Sequence, residues 1–307
     1  MPQQRKKASS HTTINPASVW LDGLAPTGRR SMRSLLNLSA TILRYNATTD
    51  SHDWSALRYV HVATIRATLA EQGYAVATVN MVLAALKGVA QTAFNLGQMD
   101  ADALARIKAV KGVRGDSEAA GRALSREEVR LLLEATKAHP CKVRQKRDRA
   151  LLLTLCGAGL RAGELVALES HDYDAATRTL TIRQGKGRKK RAVVVAPVVG
   201  RALAAWIKVS AENESLFCRI HRSGSVTGQP LTTAGLTGIL HHLQESAQLS
   251  PFTPHDLRRT FITRLLEQGA DLNIVRQLAG HSDISTTALY DRRSAVTQTR
   301  ISSALRF

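Results

Sequence analysis

A chain of 307 residues with 43 Lys and Arg against 24 Asp and Glu carries a formal net charge of +19 and a pI near 10.6. That length gives two domains room for a core each, and the cationic surplus points to a polyanionic partner. Aromatic residues make up only 4% of the chain, which argues against bases stacked on aromatic platforms and for contact with duplex phosphates. The three cysteines, Cys141, Cys156 and Cys218, lack paired spacing, so they read as reduced thiols, not as a disulfide framework or a zinc site. Met1–Lys7 is basic without the apolar stretch of a signal peptide, and the apolar run 150–160 is too short to cross a bilayer.

Residues 1–14 read as a basic tail. Asn15-Pro16 starts a short helix with Val19, Trp20 and Leu24 on its stripe. Thr27 is placed to cap a longer helix carrying Met32, Leu35, Leu36, Ile42 and Leu43. Arg29, Arg30 and Arg33 fall on its first turns, where the helix dipole disfavours positive charge. Either a DNA backbone or a loop carboxylate would compensate them. Trp54 and Leu57 fall in a connector. Helices follow over 60–72, 76–96 and 101–108, the second with Val79, Leu83, Leu86, Val89 and Phe94 on one face. Residues 15–110 therefore read as an all-helical domain. The stretch 111–123, with Gly112, Gly115 and Gly121, reads as a linker.

The chain restarts at Ser125-Arg126-Glu127-Glu128, which has capping-box spacing. A helix over 146–156 ends at Gly157-Ala158-Gly159, and Leu160-Arg161-Ala162-Gly163-Glu164-Leu165 leads into the next. Arg161 thus sits at a turn in an apolar setting and needs a partner, either Glu164 or an anionic ligand. Alternation over 178–183 and again over 192–195 gives two strands. Between them, Gly185–Arg191 holds five cations in seven residues, Lys186, Arg188, Lys189, Lys190 and Arg191. This hairpin is either a solvated turn or a basic finger laid on DNA. The remainder to Leu249 reads as helices over 202–209 and 233–245 with loops and a short extended piece at Leu216-Phe217, and His221, His241 and His242 show no metal-ligand spacing.

Thr253-Pro254-His255-Asp256 opens a further helix with Leu257, Phe261 and Leu265 at helical spacing. His255 and Arg258 share the face of its first turn, where a phosphate would suit the free N–H groups and the dipole. Arg259 adds a second guanidinium to that region. A second helix through Leu272, Val275 and Leu278 stops at Gly280, followed by His281 and, nine residues on, Tyr290.

His255-x-x-Arg258, Gly280-His281 and Tyr290 together resemble the C-terminal signature of the tyrosine recombinases, the phage-integrase and Xer-type family. Gly159–Leu165 resembles the family's first arginine patch, usually Gly-Leu-Arg-x-Ser-Glu-Leu, with Gly163 in place of the Ser. Gly185-Lys186-Gly187 is similar to its Gly-Lys-Gly hairpin. The four patches occur in family order over roughly 123–293, and the helical half resembles the family's core-binding domain by pattern.

The resemblance implies a mainly α fold with a small antiparallel β-sheet: an all-helical, SAM-like core-binding domain over 15–110 and an α+β catalytic domain over 124–307. It implies site-specific cutting and rejoining of double-stranded DNA through a 3′-phosphotyrosine and a Holliday junction. Arg161, Lys186, His255, Arg258, His281 and Tyr290 would be catalytic, with Glu164 in support. Arg29, Arg30, Arg33, Arg188, Lys189, Lys190, Arg191 and Arg259 are the candidate DNA contacts. No cofactor or metal is expected. A homotetramer on paired sites is, with exchange of C-terminal segments through Ile301–Phe307, and so is a cytoplasmic, nucleoid-associated location. A type IB topoisomerase and a catalytically silent architectural protein are the competing readings.

Overall fold

In the computed structural model, the residues described are 14–115, 121–183, 190–210, 213–281, 283 and 287. They form two compact units that divide at Gly121.

The first unit is helical: α1 (Pro16–Asp22), α2 (Pro26–Leu43), α3 (Tyr59–Glu71), α4 (Val76–Asn95) and α5 (Ala101–Ala109). Asn15 opens α1 as expected, its Oδ1 accepting from the amides of Ala17 at 2.9 Å and Ser18 at 3.4 Å. The expected cap at Thr27 is displaced. α2 starts at Pro26 with Ala25 as N-cap, because proline at the first helical position has no N–H to satisfy and a φ already set for the helix. α4 is long and apolar enough to cross a membrane, but its apolar face, Val79, Val82, Leu83, Leu86 and Val89, forms the centre of this unit's core. Trp54 and Leu57, read as connector residues, are fully buried there; a single 3-10 turn, Trp54–Ala56, places them, and Trp54 Nε1 donates to the Thr49 carbonyl at 2.8 Å.

Two of the three arginines of α2 meet carboxylates, one at the end of α1 and one in the loop after α2. Arg33 Nη1 contacts both oxygens of Asp50 at 2.8 Å, and Arg29 lies 3.3 Å from Asp22, while Arg30 stays exposed.

The stretch read as a linker is held at both ends. Val113 N donates to Asn80 Oδ1 on α4 at 2.9 Å, and Lys87 Nζ reaches the Val110 carbonyl at 2.7 Å. On the other side, Arg122 N and Leu124 N, each at 2.8 Å, are held by Asp256 Oδ1 and Thr260 Oγ1.

The second unit contains α6 (Arg126–Ala138), α7 (Lys142–Ala158), α8 (Ala162–Val166), β1 (Tyr173–Asp174), β2 (Thr179–Ile182), β3 (Arg191–Val194), α9 (Pro197–Ser210), β4 (Cys218–Ile220), β5 (Val226–Pro230), α10 (Thr233–Ser246), α11 (Pro254–Glu267) and α12 (Leu272–Ala279). The capping box of α6 forms: Ser125 N donates to Glu128 Oε2 at 2.8 Å, and Glu128 N to Ser125 Oγ at 3.1 Å. α7 is the central helix. Its Leu151, Leu152 and Leu155 are fully buried, and α6, α9 and α11 pack around it. The sheet is antiparallel in the order β1-β2-β3, with Leu180 opposite Val193 and Ile182 opposite Arg191. Leu180, Ile182 and Val193 point into the core.

Between α9 and α10, where a short extended piece is expected at Leu216-Phe217, the chain forms the β4–β5 hairpin, which starts at Cys218 and turns at Gly224 with φ +93°. Its outer strand, Val226-Thr-Gly-Gln-Pro230, is almost wholly solvated, so it carries no apolar alternation to read.

Candidate active site

The site is built around one carboxylate. α7 ends at Gly159 in the left-handed conformation, φ +60°, and the chain turns through Leu160 into α8. Any side chain at Gly159 would collide with the Phe261 ring, its Cβ lying 2.3 Å from Cδ1, so the close approach of α7 to α11 requires glycine as much as the φ does. Arg161 is the N-cap of α8 and Glu164 its third residue. Glu164 Oε2 accepts from the Arg161 amide at 2.9 Å and Oε1 from Arg161 Nη1 at 2.7 Å. The internal carboxylate anticipated for Arg161 is therefore present. Gly163 faces open space, so its departure from the usual Ser displaces no neighbour.

A second guanidinium meets the same carboxylate from β3. Arg191 Nη1 donates to Glu164 Oε1 at 3.0 Å, Nη2 to Oε2 at 2.7 Å, and Nε to the Leu278 carbonyl of α12 at 3.1 Å. Arg191, expected on the DNA-facing hairpin, thus points inward, because the neighbouring buried charge of Glu164 attracts it more than solvent does. Burial opposes ionisation of Glu164, but the hydrogen bonds from Arg191 and Arg161 prevail and hold its pKa at about 2.

α11 and α12 complete the site. Arg258 is 1% exposed; its Nη1 donates to the Gly159 carbonyl at 2.8 Å and lies 3.9 Å from Glu164 Oε2. Gly280, left-handed at φ +69°, ends α12 and offers its carbonyl to Arg161 Nη2 at 3.2 Å. His281 is buried, with Nδ1 2.8 Å from the hydroxyl of Thr287. Burial, then Arg258, Arg161, His255 and Arg191, push the His281 pKa down to about 4. His255 presents surface to solvent, yet partial burial of its ring, then Arg258 and Arg259, lower its pKa as well, with Asp256 opposing. Both imidazoles are therefore neutral at pH 7, within the field of the same guanidiniums.

Of the sequence-derived candidates, Arg161, Glu164, His255, Arg258 and His281 converge here from α8, α11 and the end of α12. Lys186, Arg188, Lys189 and Tyr290 lie outside the described residues, as does the segment Ile301–Phe307. Lys190 is exposed, whereas Arg259 is 7% exposed, facing inward from α11 instead of outward toward solvent.

The first turn of α11, where a phosphate was expected to seat, already holds the Asp256 carboxylate. Asp256 Oδ2 accepts from Thr253 N and from Thr253 Oγ1, each at 2.8 Å. Sequence reasoning passed over this role, although Thr-x-x-Asp is the spacing that signals it. Thr287 was missed too, and nothing in its local sequence marks it. Glu169, His171 and Asp172 form the one grouping of metal-ligating type found among the described residues. Its atoms already have protein partners: Asp172 binds Arg183 and the Glu169 amide, and His171 Nε2 lies 3.0 Å from Glu169.

Residues 122–296 match the phage integrase family. The chain is 33% identical over 244 residues to the tyrosine recombinase XerA of Thermococcus kodakarensis, covering 79% of this chain and 78% of that protein. It is 32% identical over 243 residues to the tyrosine recombinase XerC of Halalkalibacterium halodurans, covering 77% and 78%. In fold it resembles the Tn1549 transposon integrase, solved in complex with transposon right end DNA, with a TM-score of 0.70, 18% identity and coverage of 95% and 100%. Over more than half its length, therefore, this chain belongs to the phage integrase family, and it is a tyrosine-type site-specific recombinase acting on DNA.

Proposed function

We propose that Arg161, Arg258 and His281 bind the scissile phosphate of a recombination site and that Tyr290 attacks it, giving a 3′-phosphotyrosine and a free 5′ hydroxyl. The observation that carries this reading is the charge around Glu164. Three guanidiniums, Arg161, Arg191 and Arg258, face one carboxylate, and both nearby histidines are neutral. That leaves a local positive excess around a buried carboxylate, which suits a phosphodiester anion and the further charge of a pentacovalent transition state. Arg161 is the member open to solvent, with 35% of its side chain exposed.

The phenol of Tyr290 has an ordinary pKa of about 10 and must lose its proton during attack. His255, neutral at pH 7, accepts it. Lys186 protonates the departing 5′ oxygen. If Thr287 donates to His281 Nδ1, the neutral ring carries its proton on Nε2, the donor that the phosphate needs. The bond energy is kept in the phosphotyrosine, so a 5′ hydroxyl from a partner duplex can reverse the step without ATP.

The helical unit, 15–110, serves in this reading as the core-binding domain, with Arg30 and the cations of the stretch 185–190 on DNA. Four copies act on two paired sites and exchange the C-terminal segment around Ile301–Phe307. The biological task is recombination for a mobile element, a plasmid or chromosome-dimer resolution. The test is trapping on a nicked suicide duplex carrying the DNA that flanks the gene. Wild type should form a protein–DNA adduct that survives denaturation, linked at the 3′ phosphate. Tyr290→Phe should bind the duplex normally and form none. An adduct of unchanged yield with Tyr290→Phe would refute the assignment.

A further inference from the structure

Arg161 and Arg191 share Glu164 but use it differently. Arg161 takes one carboxylate oxygen through Nη1, leans on the Gly280 carbonyl through Nη2, and keeps a third of its side chain in solvent. Arg191 lays its fork across both oxygens, adds a bond from Nε to Leu278, and is 11% exposed. The fork edge with which an arginine grips a phosphate is, in Arg191, already engaged by Glu164.

We propose that Arg191 is a positioning residue for strand cleavage and makes no contact with DNA; this rests on the reading of Arg161 and His281 as phosphate ligands. Three segments distant in the chain meet through its one guanidinium. Nη1 and Nη2 fix the rotation of the Glu164 carboxylate, and that rotation sets where Arg161 Nη1 lies. Nε binds a carbonyl in the last turn of α12, where a cation is favoured, and so holds the end from which Gly280 and His281 project. Gly280 interlocks with the same group: a Cβ there would lie 2.8 Å from Arg191 Nη1. Arg191 also stands five residues after Lys186 in the sequence, and it is the first residue of β3. Holding a phosphate ligand within a fraction of an ångström is the kind of support on which transition-state contacts depend.

The test compares Arg191→Lys, Arg191→Gln, Glu164→Gln, the Arg191→Gln/Glu164→Gln double variant and Arg161→Ala. Three readouts are needed: single-turnover adduct formation on the suicide duplex, DNA affinity as a function of salt, and thermal unfolding. Lysine keeps the charge but cannot span both carboxylate oxygens and the Leu278 carbonyl. Arg191→Lys should therefore fold and bind DNA within about twofold, with an unchanged salt slope, yet cleave ~10–100-fold more slowly. The double variant should cleave no more slowly than the slower single variant, because both changes remove the same support. A salt slope shallower by ~0.9 in Arg191→Gln, which removes the charge, would show that Arg191 contacts a phosphate and overturn the proposal. Independent, multiplying losses in the double variant, full activity of Arg191→Lys, or failure of Arg191→Lys to fold would overturn it equally. Arg161→Ala separates the two readings. If it cleaves normally, the phosphate-site reading falls; if it is inactive while Arg191→Lys is fully active, only the positioning role falls.

Discussion

Replacing Glu164 by Gln is the sharpest perturbation of the site, because shape is kept and only charge is lost. In the wild type, Oε1 accepts from Arg161 Nη1 at 2.7 Å and Arg191 Nη1 at 3.0 Å, while Oε2 accepts from Arg191 Nη2 at 2.7 Å and the Arg161 amide at 2.9 Å. Gln can satisfy one side of this arrangement; on the other its NH2 opposes donors. Removing one partner of a buried, hydrogen-bonded ion pair costs about 3–5 kcal/mol. The depressed pKa of the same carboxylate gives a comparable figure. Burial raises the Glu164 pKa, yet its hydrogen bonds bring it from 4.5 to about 2, which corresponds to about 3 kcal/mol. Its folded pKa is depressed, so this stabilisation is complete above pH 4.5 and is lost as pH falls toward 2. Glu164→Gln should thus weaken the catalytic unit by about 3 kcal/mol at pH 7, read by urea-dependent hydrogen exchange in α7 and α9. Under conditions where the variant is fully folded, cleavage should still fall by ~10² or more, because Arg161 is no longer held. A stability loss below about 1 kcal/mol together with cleavage within twofold of wild type would refute the view that this carboxylate organises the site.

Gly159→Ala should destabilise by about 2 kcal/mol or more in equilibrium unfolding, since it combines a left-handed φ with a Cβ driven into Phe261; the same change in a Phe261→Leu background should cost measurably less. The His281 pKa of about 4, against its ordinary 6.5, means that the unfolded chain takes up a proton the folded site refuses. Stability should therefore fall as pH drops from 6.5 to 4, with no such slope above 6.5, and His281→Gln should remove that component from the pH profile. Log Kd for DNA should depend steeply on log salt. Arg30→Ala should make the slope shallower by ~0.9, whereas Arg33→Ala should leave it nearly unchanged because Arg33 is engaged by Asp50.

What could be read from the sequence was local. Ser125 and Glu128, Asn15-Pro16 and the glycine stops at 159 and 280 are satisfied within a few residues of themselves, so their spacing carries the information. Leu180 and Ile182 alternate because one face of β2 is buried and the other is not. The failures share a different cause. β1 has two residues and β5 is solvated, so neither shows a pattern. Thr27 and Ala25-Pro26 both fit the start of α2, and the proline prevails by its geometry. The arginines were the hardest. Arg29 faces Asp22 at the end of α1, Arg33 faces Asp50, and Arg191 faces Glu164, 27 residues away, yet in the sequence each is merely one more cation in a basic stretch. Basic character located the region of the site; only the fold separates the cations that hold one another's partners from those that remain open to a phosphate.

The central claim is that Arg161 neutralises charge on the non-bridging oxygens of the scissile phosphate. The direct measurement is single-turnover adduct formation by wild type and Arg161→Ala on two suicide duplexes, one with a normal phosphodiester and one with a neutral methylphosphonate at the cleavage position. On the charged linkage Arg161→Ala should lose ~10²–10³ in rate. On the neutral linkage most of that loss should vanish, because the charge Arg161 serves is gone. An equal loss on both substrates would contradict the account.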